Sequence, residues 1–401
     1  MKISAIKTTV ILISAVFILF FGVEGSFGAE KGVTANEIRV GASLDMTGPT
    51  AFVGKALADG LGVYFSAINE AGGIHGRKII LENIEDHGYK PSRAVAAVAK
   101  LNGRDNVFAI VGGQGTPTAL AMIPALQRTG LPMVGIGSFS RKLAYPPKKN
   151  VFQLLTIYGD QMRIALDYVV KDLGIKNPKI GMIYQGDEFG EDCLDGLKRQ
   201  AKMYGIPIVA AVSYKRGSVD FSSQGLRMKS AGVEYLFLAT IYRETAAVVK
   251  TAAKIGWKPT FLINSAATDG ITLKIAGKAA HGVIGVMSGE LLASQRPGWK
   301  TYLAETDKFS KTKKPGFYHS VGYLFAAVFC EGLKITGPDL TRGKFISAME
   351  RIKDFNTGVG PNITFSANNR AGAHSAFIVK ANANKGRFEK LSEWREPLDR
   401  P

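Results

Sequence analysis

The sequence predicts an α/β protein made of two doubly wound, parallel-sheet lobes with a ligand cleft between them, and four observations lead there. Short β-branched runs alternate with longer helical patterns almost throughout, as expected of parallel strands covered by helices on both faces. The alternation comes in two series, one opening at Ile38 and one near Asp160. About 370 residues follow a leader-like N-terminus, more than one domain of ~100–200 residues usually takes. Glycines and polar residues also gather where strands end and helices begin, the place where open parallel sheets build ligand sites.

In the first series Ile38 to Leu44 reads as a strand. Leu57, Leu61, Tyr64, Phe65 and Ile68 then fall on one face of a helix that Gly72-Gly73 stops. Strand-like runs follow at Lys78 to Ile84, Val107 to Val111, Met133 to Ile136 and Val151 to Leu155, with helical runs Ser92 to Leu101 and Pro117 to Thr129 between them. The second series reads as a helix from Asp160 to Leu173, strand Lys179 to Tyr184, helix Glu191 to Tyr204 and strand Ile208 to Val212. Helix Phe221 to Ala231, strand Tyr235 to Ala239, helix Glu244 to Ile255 and strand Thr260 to Ile263 complete it.

Residues 1–29 read as a secretory signal. Lys2 and Lys7 precede an apolar run from Thr8 to Val23, small residues follow, and cleavage is expected near Gly28 or Ala29. The run falls short of the ~20 residues a spanning helix needs, and no cysteine lies nearby for lipid attachment. No later stretch reads as long and uncharged enough to span a bilayer, so a soluble exported protein is expected.

The formal charge of +18 is spread along the chain. Arg141-Lys142, Lys148-Lys149 and Lys311 to Lys314 read as solvated loops, and no nucleic-acid reading module accompanies them, so no nucleic-acid partner is expected. Such a charge raises encounter rates with anionic ligands or surfaces. Cys193 and Cys330 lie in separate apolar helical stretches and read as buried free thiols. The five histidines are scattered without Cys/His spacing, so neither a metal nor a cofactor is expected.

The sharpest local feature is VGGQGTPTAL, Val111 to Leu120, where a strand ends in a glycine-rich turn and a helix begins at a Thr-Pro step. Thr116 fits an N-cap and Pro117 the first helical position. The free amides of that first turn suit a carboxylate; the alternative is a capped helix without ligand. In VGIGSFS, Val134 to Ser140, the backbone at Gly137 and Ser138 can approach a ligand and Phe139 can wall it. Neither turn is a phosphate loop or a dinucleotide fingerprint. Phe189 in YQGDEFGED and Tyr242 in IYRET stand beyond strand ends, where they either close on an apolar ligand or pack in their own lobe. Asp187, Glu188 and Glu191 read as solvated or capping groups. Without a nucleophile elbow, a nucleophile–base pair or a dinucleotide loop, no enzyme is expected.

At these positions the chain resembles the periplasmic substrate-binding proteins of the branched-chain amino acid type, which serve ABC importers. The resemblance is carried by TGP (Thr47 to Pro49), INEAGGIHGRKI, IEDHGYKP, YGD, FGED and IAGKAAHGV (Ile275 to Val283). It implies lobes joined by three hinge crossovers near Tyr158, Ser288 and Pro361. Lobe 1 then comprises residues 37–157 plus 289–361, and lobe 2 residues 158–288 plus 362–401. It also implies a periplasmic monomer that binds a branched-chain or related apolar amino acid and delivers it to an ABC permease and ATPase.

Under that resemblance Thr116 holds the ligand carboxylate, Gly137 and Phe139 belong to a backbone-contact loop, and Phe189, Tyr242 and Tyr318 are aromatic walls. Two positions depart from it. Ser265 stands where amino acid binders place an acid for the ligand ammonium, leaving Asp269 as the nearest replacement, and Phe139 stands where a threonine often assists. The cysteine pair of some relatives is missing, with Tyr89 and Gly115 in or near those places. A buried ammonium without a carboxylate costs several kcal/mol. An aromatic or branched carboxylate lacking an ammonium therefore stands as an alternative ligand, and a ligand sensor as an alternative role.

Overall fold

The computed structural model describes residues 30–398, so the expected signal and its cleavage site lie outside the described residues. The first series folds as β1 (Glu37–Leu44), α1 (Ala51–Glu70), β2 (Lys78–Asp86), α2 (Pro91–Gly103), β3 (Ala109–Gln114), α3 (Thr116–Thr129), β4 (Met133–Gly137), the short α4 (Arg141–Ala144) and β5 (Val151–Phe152). Its five strands are all parallel, in the order β2-β1-β3-β4-β5. β3 is buried at every position, as a strand covered on both faces must be.

The chain then crosses to the second lobe through α5 (Tyr158–Asp167), which continues as a π-helical turn, Tyr168–Asp172. There follow β6 (Ile180–Gln185), α6 (Glu188–Tyr204), β7 (Ile208–Tyr214), α7 (Ser222–Ser230), β8 (Tyr235–Ala239), α8 (Tyr242–Lys254), β9 (Thr260–Ile263), α9 (Gly270–Ala276) and β10 (Ile284–Met287). After β10 the chain returns to the first lobe as α10 (Pro297–Phe309), α11 (Phe317–Thr336) and α12 (Arg342–Met349). It finishes in the second sheet as β11 (Phe377–Asn382) and β12 (Arg387–Lys390). That sheet has the order β12-β11-β10-β9-β8-β6-β7, and β11 pairs antiparallel with both neighbours. Strict alternation predicts parallel pairing throughout; the closing hairpin makes the second sheet mixed.

Two further expectations change. Residues 362–371, assigned from the family resemblance to the second lobe, pack on the first. Gln153 and Ala371 form a parallel bridge, and Phe365 meets Phe152 edge-on at 5.2 Å. The third crossing therefore falls between Ala371 and Phe377, past Pro361. Separately, α1 is by length and composition apolar enough to cross a membrane, although the sequence suggests no such stretch after the signal. Here it is a core helix against α11. A Cβ on Gly60 would sit 2.0 Å from the His319 carbonyl oxygen, and one on Gly322 2.1 Å from that of Leu57, so glycine on each helix permits this close packing. Cys193 in α6 and Cys330 in α11 are buried free thiols in different lobes.

Candidate functional site

The cleft is built from strand-end loops of both sheets. After β1, the Asp45 carboxylate accepts hydrogen bonds from the Gly48 amide (2.6 Å), the Thr50 amide (2.8 Å) and the Thr50 hydroxyl (2.6 Å). The Asp45 amide donates to Gln114 Oε1 at 2.9 Å, which ties the TGP loop to the end of β3. This knot sets Pro49 and Phe52 on the cleft face. From the other lobe the Tyr242 hydroxyl donates to the Pro49 carbonyl at 3.4 Å, and its ring meets Phe52 edge-on at 5.7 Å.

Thr116 does not cap α3. Gly115 does, with φ 81° and ψ 140°, a conformation that favours glycine, and no side chain bonds the first turn. The Thr116 hydroxyl is thereby freed, and it pairs with the Ser138 hydroxyl at 2.7 Å. Both are buried. The half-buried Gly137 accepts from the Gly115 amide at 3.3 Å, locking the two glycine-rich turns together. Phe139, beside this pair, is also buried. Its ring lies 5.3 Å from Tyr158 on the first crossing, and Tyr158 meets Phe189 of the second lobe edge-on at 4.7 Å. Burial pushes the phenol pKa of Tyr158 well above its ordinary value, so the ring is neutral.

Tyr318, in the first turn of α11, donates across the cleft to the Ala266 carbonyl at 2.6 Å. Beside Ala266, the Ser265 amide donates to Gln161 Oε1 at 2.8 Å, while the buried Ser265 hydroxyl has no partner. Asp269 caps α9: its Oδ1 accepts from the Ile271 amide at 2.9 Å. The Phe317 amide also contributes to holding this carboxylate, and burial nonetheless raises its pKa. Thus Thr116, Gly137, Ser138 and Phe139 form one cluster, with Phe189 joined to it by Tyr158. Tyr242 and Tyr318 lie at other contacts between the lobes, Ser265 bonds Gln161 within the second lobe, and Asp269 serves a helix end.

Three contacts between lobes lie outside the sequence-derived set. Arg216, in the loop after β7, holds its guanidinium 4.3 Å from the ring centroid of Tyr89 in the opposite lobe. Arg216 is oriented by Asp187 at 2.8 Å, whose other oxygen caps α6. Asp192 of α6 accepts from the Arg141 amide of α4 at 3.2 and 3.3 Å. Burial pushes the Asp192 carboxyl up to about 7, although the amides of Arg141 and Gly159 partly offset this. Tyr158 completes the three. Tyr89 and Tyr158 fall within the IEDHGYKP and YGD motifs, so their motifs carried a signal; Arg216 carried none. Among the described residues no group of three His, Cys, Asp or Glu converges as a metal site.

Residues 37–387 match the family model described as periplasmic binding protein. The Leu/Ile/Val-binding protein homolog 7 of Brucella abortus (strain 2308) is 25% identical over 349 residues, 83% of this chain and 86% of that protein. Among solved structures, a fatty acid ABC transporter substrate-binding protein from Thermomonospora curvata superposes with a TM-score of 0.84 at 23% identity, over 92% of this chain and 95% of that one. A branched chain amino acid ABC transporter from Thermus thermophilus with bound valine gives 0.82 at 21% identity, over 91% and 98%. These two structural likenesses establish the shared fold.

Proposed function

We propose, starting from the fact that this chain belongs to the periplasmic binding protein family, that it is the exported solute-binding component of an ABC importer. It takes a branched-chain or related apolar amino acid between its lobes and presents the closed form to a membrane permease, without a catalytic step. The observation that carries this reading is the buried hydroxyl pair Thr116–Ser138 at the start of α3, with aromatic rings of both lobes meeting beside it. Hydroxyls and a helix start suit a carboxylate; rings suit an apolar side chain. The name of the Brucella relative and the valine bound to the Thermus protein point the same way.

A second ligand reading is favoured by one observation at the expected ammonium position. Ser265 offers a hydroxyl there, and the carboxylate of Asp269 is already engaged as a helix cap. Neither of these two positions supplies a free acid for an ammonium. An aromatic or branched carboxylate lacking the ammonium fits that chemistry.

A thermal-shift screen of the signal-free protein separates the two. Leucine, isoleucine, valine and phenylalanine are each paired with the matching deaminated acid. A ligand at a hundred times its Kd raises apparent stability by about 2.7 kcal/mol. Stabilisation by amino acids alone supports the first reading, and by the acids alone the second. Stabilisation by neither, with a folded protein, rejects the binding role assigned to Thr116 and Ser138.

A further inference from the structure

Beside the cleft, and sharing Phe52 and Tyr318 with its walls, lies a chamber of about 480 Å³. The Thr116–Ser138 pair does not line it. A groove of about 1010 Å³ behind the crossings holds none of the sequence-predicted residues. The chamber differs from both in its chemistry. Its apolar walls come from the two lobes: Phe52 and Phe317 from one, Ile271 and Phe388 from the other, with Met287 and Leu291 at the crossing.

The acids on its wall are already engaged. Asp269 caps α9, and Glu290 pairs with Arg296 at 2.6 Å. Arg387 has Glu389 at 3.5 Å. Among the described residues, the side chains of three exposed rim lysines, Lys55, Lys274 and Lys314, have no ion-pair or hydrogen-bond partner. What the chamber leaves unmatched is therefore apolar surface inside and positive charge at the opening. A zwitterion finds no free acid there.

We propose that this chamber binds an amphiphilic monocarboxylate, a medium-length alkyl or arylalkyl acid. Its apolar body lies against Phe52, Phe317 and Tyr318, and its carboxylate faces the three lysines. The volume falls in the range of small-molecule sites, ~300–1,000 Å³. Because both lobes supply the walls, an occupant bridges them and favours the closed arrangement. The assignment rests on the reading that the region between the lobes binds solute, but it uses different atoms from the amino acid carboxylate site.

The test is calorimetric titration of the signal-free protein with butanoate, hexanoate and octanoate, with leucine titrated in parallel. Affinity is expected to rise about fourfold per added methylene, the increment for burying one CH₂. Ala56→Phe, which projects a ring into the chamber from α1, should weaken octanoate about tenfold or more and leave leucine within about twofold. The surface pair Lys274→Glu with Lys314→Glu, which leaves the walls intact, should weaken octanoate several-fold at low salt and abolish most of its salt dependence.

Chain-length-independent binding overturns the proposal, as does no octanoate binding. Equal loss of octanoate and leucine in Ala56→Phe overturns it too. Leucine binding without octanoate binding overturns this assignment alone and leaves the import reading standing. Octanoate binding that follows the series without leucine binding supports the chamber and removes the amino acid ligand.

Discussion

The contact between Arg216 and Tyr89 spans the mouth of the cleft and gives the most direct handle on lobe closure. Tyr89→Leu keeps apolar bulk while removing the ring face that the guanidinium covers at 4.3 Å. Tyr89 has φ 58°, and leucine bears a comparable backbone penalty there, so the change isolates the side chain. A cation–π contact is worth ~0.5–2 kcal/mol, and the Arg216 side chain is 31% exposed, which places this one near the middle, about 1 kcal/mol. The contact joins side chains of opposite lobes, so separating the lobes breaks it. Its loss should shift the closing equilibrium about fivefold toward the open form. If the open form dominates without ligand, the apparent Kd for the cleft ligand weakens by that same factor of about five.

Calorimetry on the wild type, Tyr89→Leu, Arg216→Met and the double variant gives the coupling between the two side chains. Small-angle scattering of each protein gives the lobe opening. The expected coupling is about 1 kcal/mol, with a larger radius of gyration for each single variant. The reasoning is refuted if the two effects add within about 0.3 kcal/mol, since Tyr89 would then act through packing on Gly115 alone. A Cβ on Gly115 would lie 2.8 Å from that ring, so this alternative is concrete.

Three more perturbations follow from the site. Thr116→Val removes the hydroxyl that pairs with Ser138 and should weaken a carboxylate ligand by ~1.5–3 kcal/mol, about tenfold to a hundredfold, in the same calorimetry. Asp269→Asn preserves an acceptor for the Ile271 amide and should leave leucine affinity within about twofold, whereas Asp269→Ala should cost ~0.5–2 kcal/mol in denaturant stability. Weakening of leucine but not of 4-methylpentanoate by Asp269→Asn would instead make Asp269 the ammonium partner. For Asp192, burial raises the folded pKa from 3.8 to about 7, so the folded, closed form binds a proton that the exposed carboxyl releases. Its penalty is absent below about pH 4, grows as pH rises to about 7 and then levels off, on the order of 4 kcal/mol at 1.36 kcal/mol per unit. Asp192→Asn should flatten that decline between pH 5 and 8 in urea melts; an unchanged pH profile rejects the assigned pKa.

Local chemistry made much of the fold legible. β1, β8 and β9 read correctly because short runs rich in β-branched or aromatic residues favour a strand within a few residues. α11 carried no readable face: 16 of its 20 residues are buried, so the apolar residues run all round it. The hairpin of β11 and β12 depends on pairing with β10, a long-range fact. At the site, the turns before α3 and α4 were visible, yet the division of labour between Gly115 and Thr116 was not. A Thr-Pro step signals a cap, but the cap fell to Gly115, in a positive-φ conformation visible only in three dimensions. Arg216 and Tyr89 are distant in sequence and meet only because two sheets close on each other.

The contacts between lobes also explain why closure can respond to a small solute. Each favourable contact is modest: the Tyr318–Ala266 bond, the long Tyr242–Pro49 bond and the Arg216–Tyr89 contact each contribute about 1 kcal/mol or less. Against them stands Asp192, whose ionised carboxylate is costly to bury at neutral pH and whose bonds to the Arg141 amide only partly compensate. Terms of opposite sign narrow the free-energy gap between the two arrangements. A ligand need then supply only a few kcal/mol of differential affinity to decide between them. Acidification should act in the same direction as ligand, because protonating Asp192 removes the opposing term. Scattering that shows the wild type more compact at pH 5 than at pH 8, with Asp192→Asn following the same change, would fit a different opposing group. Equal compactness of both proteins at both values would show that no titrating carboxyl restrains closure.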